Sequence, residues 1–320
     1  MRKRSFILIM GLLILVLVGC NTNETEEGSN SEEQAENNPS TSEEENDTLK
    51  IGIMPAVDGA PIFVAESEGY FEELGLDLEV TIYSNANNRQ SALQTNELDG
   101  AMTDLVAVLN NHHNGFETKL VTSTDGSFAF LTQEDFDGEG TKDLGLMEIS
   151  VSNYLADYYV APNYDVNKVF INEIPARLEM INTGQLDIGF IPEPAASTGE
   201  LNGLTKYITV TDDNGSSLQA MVFTTESYQN NHTAIAKFVQ GYNKAVEAIQ
   251  EDHNLALDAL LSELDLNPEI RELIHLPDYQ LARVPSEDYV NQVISWVEEV
   301  QDMELDVDYQ EMITSEFLNQ

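Results

Sequence analysis

Beyond residue 47 the chain alternates between two hydrophobic periods. Residues 49–54 read as a buried strand and 61–71 as a helix, with Pro61 tolerated in its first turn. Residues 76–83 alternate apolar and polar side chains, which predicts a strand. A helix over 88–96, a short strand over 99–103, a helix over 105–112 and a strand over 117–123 follow. This alternation predicts a mostly parallel sheet covered on both faces. A second series repeats it: strand 145–149, helix 151–160, strand 169–174, helix 176–182, strand 187–191, helix 194–201 and strand 206–211. Two apolar segments, 128–132 and 218–224, flank polar, glycine-containing stretches and read as strands crossing between the two series. From Thr233 the pattern becomes largely helical, most clearly over 233–250 and 286–301.

One internal repeat links the two series. Residues 89–101 align without gaps on residues 177–189, with Arg, Thr, Leu and Asp identical at an offset of 88. Each copy reads as a helix, a tight turn and a short buried strand. Both copies fall at the same place in their series, which points to two related lobes.

The N-terminus has a different pattern. Arg2, Lys3 and Arg4 precede a 13-residue uncharged run over 6–18. That run is short of the roughly 20 apolar residues needed to span a bilayer, and has the length of a signal-peptide core. It ends in Leu17-Val18-Gly19-Cys20, which resembles the lipobox of bacterial lipoproteins. The resemblance implies cleavage after residue 19 and a diacylglyceryl group on Cys20. Residues 21–46 hold one hydrophobic residue, Ala35, no Lys or Arg, and nine Glu. That composition cannot bury a core and predicts a flexible tether of roughly 30 Å. Residues 1–19 are therefore expected to be a signal peptide and 20–46 a lipidated, disordered acidic tether.

Charge and cysteine content narrow the function. The net charge is −43, from 57 Asp and Glu against 14 Lys and Arg. Nucleic-acid binding, which needs Lys and Arg on phosphates, is disfavoured. Cys20 is the sole cysteine, so intrachain disulfides, thiolate metal sites and a cysteine nucleophile within the folded part are excluded. Neither a Gly-x-Ser-x-Gly elbow nor a His-Glu-x-x-His motif nor a P-loop is present. His112 and His113 are adjacent and point in different directions on a helix, a poor metal pair. No enzyme activity, cofactor or metal is expected.

Three stretches carry a family likeness: Lys50-Ile-Gly-Ile-Met-Pro, then Ala60-Pro-Ile-Phe-Val-Ala, then Glu68-Gly-Tyr-Phe-Glu-Glu-Leu-Gly-Leu. With Ala92-Leu-Gln-Thr-Asn-Glu-Leu-Asp-Gly-Ala and Pro192-Glu-Pro-Ala-Ala, they resemble the solute-binding lipoproteins of ABC importers. The subgroup they resemble handles nitrate, sulfonates, taurine and pyrimidine precursors of thiamine. The resemblance covers about residues 49–250 and implies the type II periplasmic binding protein fold. That is an α/β architecture of two lobes with mostly parallel sheets, joined by two crossover strands. Lobe one would comprise 47–131 and 221–320, the latter ending in helices, and lobe two 132–220. It also implies a monomer that closes on a small solute, delivers it to a membrane permease with a cytoplasmic ATPase, and works outside the cytoplasm. Fungal pyrimidine synthases share this fold in family terms, but their cysteine-rich segment has no counterpart here. A binding module that reports to a sensor is the other alternative.

Ligands of open α/β sheets sit beyond the carboxyl ends of strands. That rule selects Asp58, Asn85, Arg89, Thr103, Asp104 and Asp125 in lobe one. In lobe two it selects Glu148, Ser150, Ser152, Tyr154 and Glu193. Tyr83 and Phe128 join Tyr154 as candidate stacking faces. Asp104, Ser150 and Ser152 also suit helix N-caps, and the Arg89–Arg177 correspondence also suits a scaffold role for both. Five carboxylates against one arginine predict a neutral or cationic ligand such as a thiamine-related aminopyrimidine. A sulfonate, taurine or nitrate is the alternative.

Overall fold

The computed structural model describes residues 47–211 and 217–318. The expected signal peptide, Cys20 and tether lie outside them. The first lobe runs β1 (Asp47–Ile53), α1 (Ala60–Ser67), α2 (Tyr70–Glu73), β2 (Leu76–Ile82), α3 (Ala86–Gln94), β3 (Gly100–Asp104), α4 (Leu105–His113) and β4 (Thr118–Ser123). The second runs β5 (Ser127–Thr132), β6 (Lys142–Leu146), α5 (Val151–Tyr159), β7 (Val166–Phe170), α6 (Ile174–Asn182), β8 (Ile188–Pro192), α7 (Ala195–Leu201) and β9 (Thr205–Thr211). The chain then returns through β10 (Gln219–Thr224), α8 (Thr225–Asn230), α9 (His232–Glu251), α10 (Asn254–Glu263), α11 (Glu287–Gln301) and α12 (Tyr309–Met312).

Two five-stranded sheets result, in the orders β2-β1-β3-β10-β4 and β7-β6-β8-β5-β9. Each has the same plan. Four strands run in the same direction, and the crossover strand, in the fourth place, lies antiparallel to both its neighbours. The sheets are thus mixed at that position. β5 belongs to the second sheet, so the chain leaves lobe one near Gly126 rather than at 131. β10 belongs to the first sheet, so the return begins by Gln219.

Local deviations have local causes. The expected helix over 61–71 is broken at Gly69, whose φ of 74° ends α1 and starts α2 in a new direction. The strands expected over 145–149 and 169–174 lie three to four residues earlier, at Lys142–Leu146 and Val166–Phe170. β7 is an edge strand, where polar residues cost little, so its apolar signal is weak and Ile171 and Ile174 beyond it misled the period.

Three of the four identical repeat residues make matching contacts in both lobes. Asp99 accepts the backbone N–H of Lys50 at 2.8 Å, and Asp187 that of Asp143 at 2.8 Å. The Thr95 hydroxyl donates to the Ser91 carbonyl, and the Thr183 hydroxyl to that of Glu179. Leu98 covers Gly52 of β1 and Leu186 covers Gly145 of β6, so closely that a Cβ there would lie 2.5 or 2.4 Å from a leucine methyl. The fourth pair, Arg89 and Arg177, is buried in both lobes.

The lobes touch. Val57 N–H donates to the Glu193 carbonyl at 3.0 Å, and Asn85 donates to Glu173 at 2.8 Å. On another side, Trp296 of α11 donates its indole N–H to Asp157 of α5 at 3.1 Å, and its ring packs edge-on against Tyr154. At the crossover, Thr124 N–H donates to the Gln219 carbonyl at 3.0 Å and the Ser217 hydroxyl donates to the Thr124 carbonyl.

Candidate functional site

A cavity of about 70 Å³ lies between the lobes. Its walls are the carboxyl ends of strands and the turns after them: Met54 and Asp58 beyond β1, Thr103 and Asp104 ending β3, Met147 and Ser150 beyond β6, and Pro192 ending β8. The two sheets therefore present their equivalent ends to one space, as the strand-end rule requires. Much of the lining is apolar. Phe128 and Phe190 stack with ring centres 5.1 Å apart, and Met54, Met102 and Met147 add pliable walls.

Four charged side chains line it. Arg89 and Arg177 come from the start of equivalent helices, one in each lobe. Among the described residues the Arg89 side chain donates once, to the Thr103 hydroxyl at 3.1 Å, and its buried Nε has no hydrogen-bond partner. Arg177 donates Nε to the Phe190 carbonyl at 3.0 Å and Nη1 to those of Ile171 and Asn172. Among the described residues neither arginine has a carboxylate within ion-pair distance. Burial pushes both guanidinium pKa values down, that of Arg177 to about 10, which leaves Arg177 charged near neutrality.

The two acids are Asp58 and Asp104. Burial raises the Asp58 carboxyl to about 6, against a hydrogen bond from Gln219 and the nearby Arg89 charge. Asp104 is also raised by burial. It caps its own helix by accepting the Ala107 N–H at 3.0 Å.

The remaining expected residues fall in three groups. Ser150 caps α5 and lines the cavity. Ser152, fully buried, ties itself to both backbone groups of Met147 and so shapes the loop beneath. Asn85 caps α3 and makes the cross-lobe bond to Glu173. Asp125, Glu193, Glu148, Tyr83 and Tyr154 are not among the cavity walls. Asp125 is held in a two-pronged pair with Arg283 and accepts the Gln280 N–H, which fastens the C-terminal segment near the crossover. Glu193 is fully buried, paired with Lys206 at 2.6 Å and bonded to the Ser197 hydroxyl at 2.7 Å. Glu148 is exposed, Tyr83 packs by Gly52, and Tyr154 belongs to the Trp296 contact. The carboxylate excess expected of the cleft is therefore absent from its walls, which hold two acids and two arginines.

Gln219 lines the cavity without having been expected there. It opens β10, its backbone carbonyl bonds Thr124 at the crossover, and its side chain donates to Asp58 at 3.1 Å. Its place at the start of a crossover strand was the available signal. Arg177 was visible as the repeat partner of Arg89.

Two mixed sheets of one plan, facing each other across a ligand-sized cavity and linked by two crossover strands, define the periplasmic binding protein fold. The NMT1-like family model matches residues 42–144. A Brachyspira hyodysenteriae protein named as an ABC transporter periplasmic binding protein is 22% identical over 251 residues, 71% of this chain and 72% of that one. The binding protein YtlA of Bacillus subtilis is 24% identical over 234 residues, 67% of this chain and 70% of its own. Among solved structures, the ligand-binding component of an ABC-type import system from Staphylococcus aureus superposes with a TM-score of 0.70 at 13% identity, covering 86% of this chain and 99% of that one. The aliphatic sulphonate binding protein SsuA of Escherichia coli gives a TM-score of 0.66 at 13% identity, covering 83% and 97%. The likeness to ABC-importer solute-binding proteins carried by the motifs is borne out. The fold is also shared with an enzyme: the desulfurization enzyme DSZB superposes at a TM-score of 0.64 with 11% identity, covering 86% of this chain and 98% of that one.

Proposed function

We propose that this chain is the extracytoplasmic substrate-binding component of an ABC importer, anchored through a lipid on Cys20, and that its ligand is a small organic anion. The relatives named as ABC-transporter binding proteins support the transport class. The observation that carries the ligand reading is the pair of buried arginines, one per lobe, with no carboxylate partner among the described residues. Asp58 and Asp104 offset Arg89 through space without pairing with it, and burying a guanidinium that lacks a direct ion pair is costly. An anion between Arg89 and Arg177 would relieve that cost in both lobes at once, and would thereby favour closure. A cavity of about 70 Å³ suits a head group of sulfonate size. It is about half the ~150 Å³ that accommodates benzene, so a pyrimidine ring would need the lobes further apart.

A second reading keeps the neutral or cationic aminopyrimidine. Asp58 and Asp104 would accept its amino groups, and Phe128 with Phe190 would flank its ring. Calorimetric titration of the soluble domain with ethanesulfonate and with an aminopyrimidine separates the two. Sulfonate binding without an aminopyrimidine response is expected; the reverse would end the anion reading. Labelling with a radioactive fatty acid, lost on replacement of Cys20 by Ser, tests the anchor. Loss of solute uptake on deleting the gene tests import against sensing.

A further inference from the structure

Beside the cleft lies a larger recess of about 250 Å³, between α3 and α4 and rimmed by Ile149 of lobe two. It shares Ala86, Arg89 and Asp104 with the central cavity. Apart from Ala107, its other walls are amides: Asn87, Gln90 and Gln94 along one face of α3, Asn110 and Asn111 on α4, and Asn114 just past its end. In a chain with 57 Asp and Glu, Asp104 is the single carboxylate of this recess, and it sits at the cleft end.

Helix packing accounts for only two of these amides. Gln90 and Asn111 do bond each other reciprocally, at 2.8 and 3.2 Å, and so link α3 to α4. The other four are not used between the helices. Asn110 and Asn114 donate to backbone carbonyls within their own helix, which leaves their side-chain oxygens available. The exposed side chains of Asn87 and Gln94 make no hydrogen bond among the described residues. Such a surface offers both donors and acceptors without net charge. Arg89, whose buried Nε has no hydrogen-bond partner among the described residues, is a wall residue of both spaces.

We infer that this recess is a second subsite that holds an uncharged, hydroxyl-rich extension of the ligand, while the central cavity holds its anionic head. The inference rests on the anion reading above and extends it. The head cavity has room for only a few atoms, so any organic anion of ordinary size needs a second volume. The adjoining space is larger, shares the arginine, and is lined for neutral polar groups rather than for charge or for grease.

The test is calorimetry on the soluble domain with three probes: ethanesulfonate, a hexose carrying a sulfonate on C6, and hexane-1-sulfonate. The hexose sulfonate is expected to bind at least about ten-fold tighter than ethanesulfonate and tighter than the alkyl chain of similar reach. Replacing both Asn87 and Gln94 by Ala should remove that ten-fold gain and leave ethanesulfonate affinity unchanged. Both positions are exposed and unbonded, so the variant should keep the parent melting temperature. Equal affinity for ethanesulfonate and the hexose sulfonate overturns the subsite while leaving the anion reading intact. So does a tightest fit for hexane-1-sulfonate. Failure of all three sulfonates to bind overturns both.

Discussion

Asp58 carries the clearest consequence for solution behaviour, because its carboxyl titrates at about 6 inside the cavity wall. A folded-state pKa raised above the ordinary carboxylate value stabilises the fold most at low pH. That contribution fades as pH climbs from about 4 to about 6, and burying the ionised form then costs up to about 3 kcal/mol. Asp58→Asn should therefore raise the melting temperature at pH 7, and the gain over the parent should vanish near pH 4. Affinity follows the same group. An anionic ligand should bind more tightly as pH falls through about 6 and Asp58 loses its charge, and Asp58→Asn should flatten that profile; a rising affinity with pH would instead indicate a cation. The two arginines should separate by mutation. Arg177 supplies three hydrogen bonds to buried carbonyls, so Arg177→Met should cost about 3 kcal/mol or more in urea unfolding. Arg89 makes one, to Thr103, so Arg89→Met should leave stability nearly unchanged and weaken anion binding by about 100-fold or more.

At the scale of elements, the repeat is the part of the molecule that reads most directly from sequence to contact. Thirteen aligned positions contain four identities, and all four recur structurally: a cavity arginine, a helix-end threonine, a leucine over a strand glycine, and an aspartate tied to the neighbouring strand. The period of apolar residues likewise marked nearly every helix and strand, because core-facing positions repeat at fixed spacing. The makeup of the cleft was less legible. Carboxylates at strand ends look alike in a sequence, and nothing local shows which are already paired. Asp125 meets its arginine 158 residues away, and Glu193 meets Lys206 on another strand. The strand glycines offer an element-level test. At Gly52 a methyl would meet the end of the flexible Leu98 side chain, but at Gly100 it would lie 2.6 Å from the Val222 carbonyl of the neighbouring strand. Gly52→Ala should cost about 1–3 kcal/mol in denaturant unfolding, and Gly100→Ala clearly more.

For the whole molecule, closure can be read from one residue. Trp296 is the chain's single tryptophan, and it bridges the lobes through Asp157 and Tyr154. Ligand binding that shifts the open and closed populations should change its fluorescence. Asp157→Ala should weaken ligand affinity several-fold without touching the cavity, by removing a lobe-to-lobe contact. The strand order has a consequence of another kind, for how the protein comes into being. Every strand of the second sheet lies within residues 127–211, and its first and last strands pair at Ser127 and Thr211. The first sheet has no such independence. β10 sits between β3 and β4, so until residue 224 is in place those two strands lack the neighbour that joins them. A polypeptide emerging N-terminus first can therefore complete its second half before its first. Residues 127–211 alone should show cooperative unfolding by circular dichroism, whereas 47–126 alone should not. The earlier-made half would then wait, incomplete and in need of protection, for a strand encoded almost a hundred residues after its own last one.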